Sequence, residues 1–223
     1  MHPTWRRGEP VGAGAPAFTL IELLAVLAVI AILAGILLPA LGSARASALR
    51  AATRMQLGRW AAAVEQFRQE YGYYPEVGTD GMLATAGDAA RFVRTLSGRN
   101  PDGSPVADAA DLNGNLKRLS FAAFGAADFL DPDRPGAAPD FSGNELLCDA
   151  FGNTEIGVLL DRNGDGFIRP TDDGAPAAVR GGGGDAALVP AEVDLPAGGI
   201  RGGVAFYTAG RGAIPDDMVL SWK

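Results

Sequence analysis

The sequence predicts an α+β fold: a long amino-terminal helix, membrane-spanning in its first half and amphipathic in its second, packed on a small antiparallel sheet. Three patterns predict it. The stretch from Phe18 to Leu41, FTLIELLAVLAVIAILAGILLPAL, is apolar without interruption after Glu22. Between Ser43 and Tyr71 the residues Leu49, Leu57, Trp60, Val64, Phe67 and Tyr71 recur at three- and four-residue multiples, which makes one apolar helix face. The last third holds short runs of Val, Ile, Leu, Phe and Tyr bounded by turn residues.

The first pattern approaches the roughly 20 residues that a spanning helix needs, and Leu23 to Leu38 carries no charge. Glu22 is the one carboxylate inside the stretch. A charge near the end of a lipid-facing helix costs about 2 kcal/mol or more, so Glu22 is a functional candidate by default. The bland alternative is a side chain that snorkels to the headgroups. Residues 1–17, MHPTWRRGEPVGAGAPA, form a leader containing Arg6 and Arg7 and stand outside the fold reasoning. A conventional secretory signal has the same basic-then-apolar order. Here, however, the apolar run exceeds the usual length of about 7 to 15 residues and ends in Leu-Pro-Ala-Leu-Gly, with no clear small-x-small cleavage site.

Phe18-Thr19-Leu20-Ile21-Glu22, following a short charged leader and opening an unbroken apolar run, resembles the amino-terminal signature of type IV pilins and type II secretion pseudopilins. The resemblance implies that a membrane prepilin peptidase cuts between Ala17 and Phe18 and methylates the new amine of Phe18. It also implies that Glu22 faces a neighbouring subunit's amine during assembly. Electrostatics agrees, because a carboxylate in low dielectric is tolerable only when paired. The chain departs from the family at Ala17, where Gly is usual before the cut.

Length and composition fit one membrane helix plus one globular domain: 223 residues, 48% of them hydrophobic. The net charge is −7, and without a leader holding Arg6, Arg7 and Glu9 it is −8. An acidic body argues against nucleic acid as a partner. Two Arg-Gly-Gly triplets, at Arg180 and Arg201, do not outweigh that charge. Cys148 is the single cysteine, so no intrachain disulfide forms, and outside the leader no His is present to activate it.

The expected organisation is a leader at 1–17, a membrane and assembly helix at 18–41, the amphipathic half of that helix at 42–75 and a globular head at 76–223. A helix from Phe18 to about Tyr71 is roughly 80 Å long at 1.5 Å per residue. Pro39 and Gly42 mark where it is expected to bend, and Gly72 and Pro75 where it stops. Arg45, Arg50, Arg54 and Arg59 precede any acidic residue up to Glu65, so a positive-inside count places the head in the cytoplasm, whereas the resemblance places it on the other side. The resemblance is preferred, since large downstream domains translocate regardless of local bias. The segment EQFRQEYGYYPE, Glu65 to Glu76, is similar to the family's passage from helix to head. Tyr71, Tyr73 and Tyr74 read as head packing rather than as a ligand platform.

Within the head, 76–147 is expected to connect helix and sheet, a region that the resemblance implies is variable among subunits. It contains a helix expected from Gly87 to Ser97 and a short one around Leu116 to Phe124. The sheet region, 148–223, has strands expected at Glu155 to Leu160, Gly203 to Thr208 and Met218 to Trp222. Cys148 to Asn153, CDAFGN, is similar to the turn that opens the sheet in major pseudopilins, with Ala150 for Pro and Phe151 for Trp. The ending from Tyr207 to Trp222 is likewise similar to theirs. Together with the helix, these likenesses cover roughly half of the chain. Arg180 to Asp185 lacks the Lys-Ser/Thr of a phosphate loop and reads as a flexible connection.

The sharpest motif in the head is DRNGDGFIRPTD, Asp161 to Asp172, which matches the first six positions of the D-x-[DN]-x-[DN]-G calcium loop. Asp161, Asn163 and Asp165 offer side-chain oxygens, Phe167 a carbonyl, and Asp172 stands at the twelfth place. Arg169, at the ninth, cannot coordinate, and Pro170 predicts that no helix follows. Hard oxygen ligands without His or Cys favour Ca²⁺. The alternative is an Asp/Asn/Gly-rich turn that binds nothing. The resemblance adds Asp216 and Asp217, in the terminal loop, as a second metal candidate.

No HExxH, GxSxG, Walker loop or Cys-x-x-Cys occurs, so an enzyme is not expected. The reading is a structural subunit of a pilus-like filament at the inner membrane, most simply a type II secretion pseudopilin. Its expected partners are prepilin peptidase, the membrane and related subunits. The alternatives are a type IV pilus subunit, or a calcium-dependent binding module on a permanent membrane anchor.

Overall fold

The computed structural model describes residues 19–78, 80–134, 136–181, 186–212 and 214–223. The chain divides into two compact units, one reaching to Ala44 and one spanning Arg45–Lys223. Helix α1, Leu20–Tyr71, contributes to both and runs without a break through Pro39 and Gly42. It stops at Tyr71 as the sequence predicts. Gly72 takes a left-handed φ of 82° and its N–H donates to the Arg68 carbonyl at 2.7 Å, closing the last turn.

In the first unit the large apolar side chains of α1 are all exposed, from 51% at Val26 to 81% at Leu20. In the second, the expected one-faced pattern holds. Leu57, Trp60, Val64 and Phe67 are buried, with Thr53 in line with them. They face a four-stranded antiparallel sheet in the order β1-β4-β9-β10, made of β1 (Met82–Leu83), β4 (Ile156–Leu160), β9 (Val204–Thr208) and β10 (Val219–Leu220). The central pair runs in register from Ile156 opposite Thr208 to Leu160 opposite Val204.

Strands β4 and β9 are buried on both faces, which is why they read as continuous apolar runs. On one face Ile156, Val158, Val204 and Phe206 pack with α1 and with α2 (Ala86–Ser97). Trp60, Phe92 and Phe206 meet there edge to face, with ring centroids 5.5 to 6.1 Å apart. On the other face Leu159, Ala205 and Tyr207 meet Ile168, Val179, Leu188 and Ile200. These come from two small antiparallel pairs, β5 (Phe167–Ile168) with β8 (Ile200–Arg201), and β6 (Val179–Arg180) with β7 (Ala187–Leu188). The Tyr207 ring lies across Gly157, where a Cβ would come within 2.0 Å of it, and the Tyr207 hydroxyl donates to the Ala177 carbonyl at 2.7 Å. A further pair, β2 (Phe129–Leu130) with β3 (Leu146–Leu147), completes the connecting region.

Helix α2 forms where the sequence predicts a helix and is capped at both ends. The Thr85 hydroxyl accepts from the Asp88 N–H at 3.1 Å, and Gly98, at φ 67°, ends it. Three expectations are corrected. No helix forms at Leu116 to Phe124, because Asn115 captures the backbone: its amide donates to the carbonyls of Thr95 (2.9 Å) and Leu119 (2.7 Å), and its oxygen accepts from the Leu119 N–H (2.9 Å). A one-turn helix, α3 (Pro170–Asp173), does form, over the last positions of the Asp161 motif, with Pro170 at its first position, where a missing N–H costs nothing. Val179–Arg180, at the start of the expected flexible connection, is paired in a hairpin, while 182–185 lie outside the described residues.

Candidate functional site

Glu22 sits in the first turn of α1, the one charged side chain between Leu20 and Leu41. Thr19 precedes the helix and the two cap each other. The Thr19 N–H donates to Glu22 Oε2 at 3.0 Å, the Thr19 hydroxyl donates to the same oxygen at 2.8 Å, and the Glu22 N–H donates to Thr19 Oγ1 at 3.3 Å. This is a capping box, in which Thr-x-x-Glu satisfies orphan backbone donors reciprocally. The carboxylate also lies where the helix macrodipole favours negative charge. Thr19 was not singled out from sequence, although the Thr19-Leu20-Ile21-Glu22 spacing carries that signal. The expected processing residues Ala17 and Phe18 lie outside the described residues.

The basic stretch of α1 is partly absorbed by the second unit. Arg59 meets Asp128 at 2.9 Å, and Gln56 donates to the same Asp128 oxygen and to the Cys148 carbonyl, each at 2.9 Å. Arg50 lies 3.6 Å from the Asp217 carboxylate and 3.5 Å from its carbonyl. These partners stand 69 and 167 residues away in sequence, so no local pattern announces them. Among the described residues Arg45 and Arg54 form no ion pair.

The CDAFGN turn opens β4 as the sequence suggests, and Asp149 organises it. Its Oδ1 accepts from the N–H groups of Phe151 and Asn153, and its Oδ2 from the Asn153 amide and the Thr208 hydroxyl, all at 2.9 Å. Burial pushes the Asp149 carboxyl above the usual range, against the pull of these bonds. Burial likewise pushes the Cys148 thiol up to about 12, which leaves it a poor nucleophile at neutral pH. Of the three tyrosines at the helix end, Tyr71 donates to Asn115 at 2.8 Å and packs on Phe67, while Tyr74 is tied to Arg68 and Glu65. Burial, and then the Glu65 charge, push the Tyr74 hydroxyl up to about 12.

The Asp161 loop brings its polar groups together around its own backbone. Asp161, 1% exposed, accepts from the N–H groups of Gly164 (2.7 Å) and Asp165 (3.2 Å) with one oxygen and from Gly166 (2.9 Å) with the other. Asn163 accepts from the Asp165 N–H and Asp165 from the Phe167 N–H, while Arg169 pairs with the second Asp165 oxygen. Asp172, at the twelfth place, is largely exposed and lies 4.0 Å from the same guanidinium. Its neighbour Asp173 is the buried one, accepting from the N–H groups of Arg162 (2.7 Å), Asn163 (3.3 Å) and Arg169 (2.8 Å). Asp216 and Asp217 lie in a 3₁₀ turn, Pro215–Asp217. Among the described residues no group of three or more His, Cys, Asp or Glu is disposed to hold a metal.

Residues 16–38 match the prokaryotic N-terminal methylation motif. The chain therefore carries an amino-terminal signal of the type IV pilin-like kind. Among the described residues α1 is the helix long and apolar enough to cross a membrane, and it overlaps this motif, a pairing that suggests a membrane anchor. No curated protein and no solved structure matches the chain.

Proposed function

We propose that the chain is a non-catalytic structural subunit of a pilus-like filament, namely a type II secretion pseudopilin. The observation that carries this reading is the methylation motif at 16–38, coinciding with an apolar stretch of α1, Leu20 to Leu41, whose single carboxylate is Glu22. In this reading cleavage between Ala17 and Phe18 frees an amine, and the Glu22 of an adjacent subunit receives it. A carboxylate already at the membrane edge then gains a cation when lipid is replaced by protein. The body from Arg45 onward stands on the extracytoplasmic side, and the paired Arg50 and Arg59 meet its acidic side chains there. The CDAFGN turn and the Tyr207 to Trp222 ending favour a pseudopilin over a surface pilin.

Intact-mass measurement after co-expression with a prepilin peptidase tests the reading. The expected product begins at methylated Phe18. A sample holding only full-length chain overturns it in favour of a permanently anchored binding module.

A further inference from the structure

We infer that the guanidinium of Arg169 is the built-in cation of the Asp161–Asp173 loop, so that this calcium-type motif closes without a metal ion. The inference is independent of the proposed filament role and concerns the body alone. A loop of the D-x-[DN]-x-[DN]-G type gathers oxygens around an ion, and it must leave its ninth position to a ligand or to a water. Here the ninth residue is Arg169, which ion-pairs with Asp165 and lies 4.0 Å from Asp172, the residues at the fifth and twelfth positions. Its guanidinium also stands 5.0 Å over the Phe167 ring, so an aromatic face fixes it from a third direction. A divalent cation at Asp165 has to displace a charge of its own sign that is tethered in place.

The remaining groups are committed without an ion. Asp161 takes three backbone N–H groups from inside the loop. Asp173 takes three more, bridging the loop's start at Arg162 and Asn163 to Arg169. The buried carboxylate at the loop's end is thus Asp173, one place beyond the position where a metal-binding loop has its ligand, and it receives donors rather than facing a cation. The Asp165 carboxyl is held below its usual range, with the Arg169 bond the first cause.

The test uses the full chain in a non-ionic detergent, followed by thermal unfolding in EGTA and in millimolar CaCl₂. Wild type is expected to melt at the same temperature in both. Arg169→Gln is expected to melt about 2–4 °C lower in EGTA, the shift that loss of one modest interaction gives a domain of this size. Calcium should recover most of that loss, because Asp165 and Asp172 are then without a cation. Equilibrium dialysis of wild type against ⁴⁵Ca²⁺, which does not depend on the variant folding, should show no bound calcium in the micromolar range. A melting temperature that rises in calcium or stoichiometric bound calcium, either one persisting when Asp216 and Asp217 are both replaced by Ala, or an Arg169→Gln protein indifferent to calcium, overturns the inference.

Discussion

Two stretches of α1 share a backbone and present opposite surfaces. From Leu20 to Leu41 the helix exposes apolar side chains on every side, while from Arg45 to Tyr71 it buries Leu57, Trp60, Val64 and Phe67 and exposes polar groups elsewhere. Burying one large apolar side chain contributes about 1.5–3 kcal/mol, so the first stretch is strongly driven out of water. The second has met that demand within its own unit. A helix hydrophobic all round seeks lipid or other helices, and one hydrophobic on a single side seeks a sheet. The difference assigns association to one half of α1 and folding to the other.

The comparison breaks if one change disturbs both halves. The largest expected effect is that of Glu22→Ala, which should abolish filament assembly while leaving membrane insertion intact and the body's melting temperature within a degree of wild type. Sheared-filament yield, alongside membrane fractionation and calorimetry, reads all three. Normal filaments from that variant would remove Glu22 from assembly. Trp60→Ala should do the reverse: it opens a cavity among Phe92, Phe124 and Phe206 and costs the body about 3–5 kcal/mol. Denaturant unfolding measures this, and the membrane-inserted fraction should not change. Smallest is Arg59→Gln. The Arg59–Asp128 pair is half exposed on the arginine side, and Asp128 keeps its bonds from Gln56 and the Gly125 N–H, so the expected loss is about 1 kcal/mol or less. A loss of several kcal/mol would mean that the outer face of α1 also holds the body together.

How much was legible in the sequence follows the same division. The apolar span, the stop at Gly72 and the buried face of α1 depend on local period and local stop signals, and they stand where the sequence puts them. Strands β4 and β9 were visible because burial on both faces makes their apolar runs unbroken. The two small strand pairs behind the sheet were not, since strands of two residues carry no period. Leu116 to Phe124 failed because a single distant-reaching side chain, Asn115, outweighs a weak helical propensity. At the Asp161 loop the spacing marks a segment whose backbone N–H groups do gather on Asp161, without testing the calcium reading. It could not distinguish Asp172 from Asp173, because which of two adjacent carboxylates turns inward depends on the α3 turn that Pro170 opens.

The central sheet ends in strands of two residues on both sides, β1 at Met82–Leu83 and β10 at Val219–Leu220. An edge that short offers an approaching chain almost no row of free N–H and C=O groups to copy. Copies held side by side in a membrane meet at high local concentration, the condition under which open strand edges zip together into irreversible aggregates. With both margins blunted, the central sheet gives a second copy of the chain little to extend by strand addition, whatever brings the copies together.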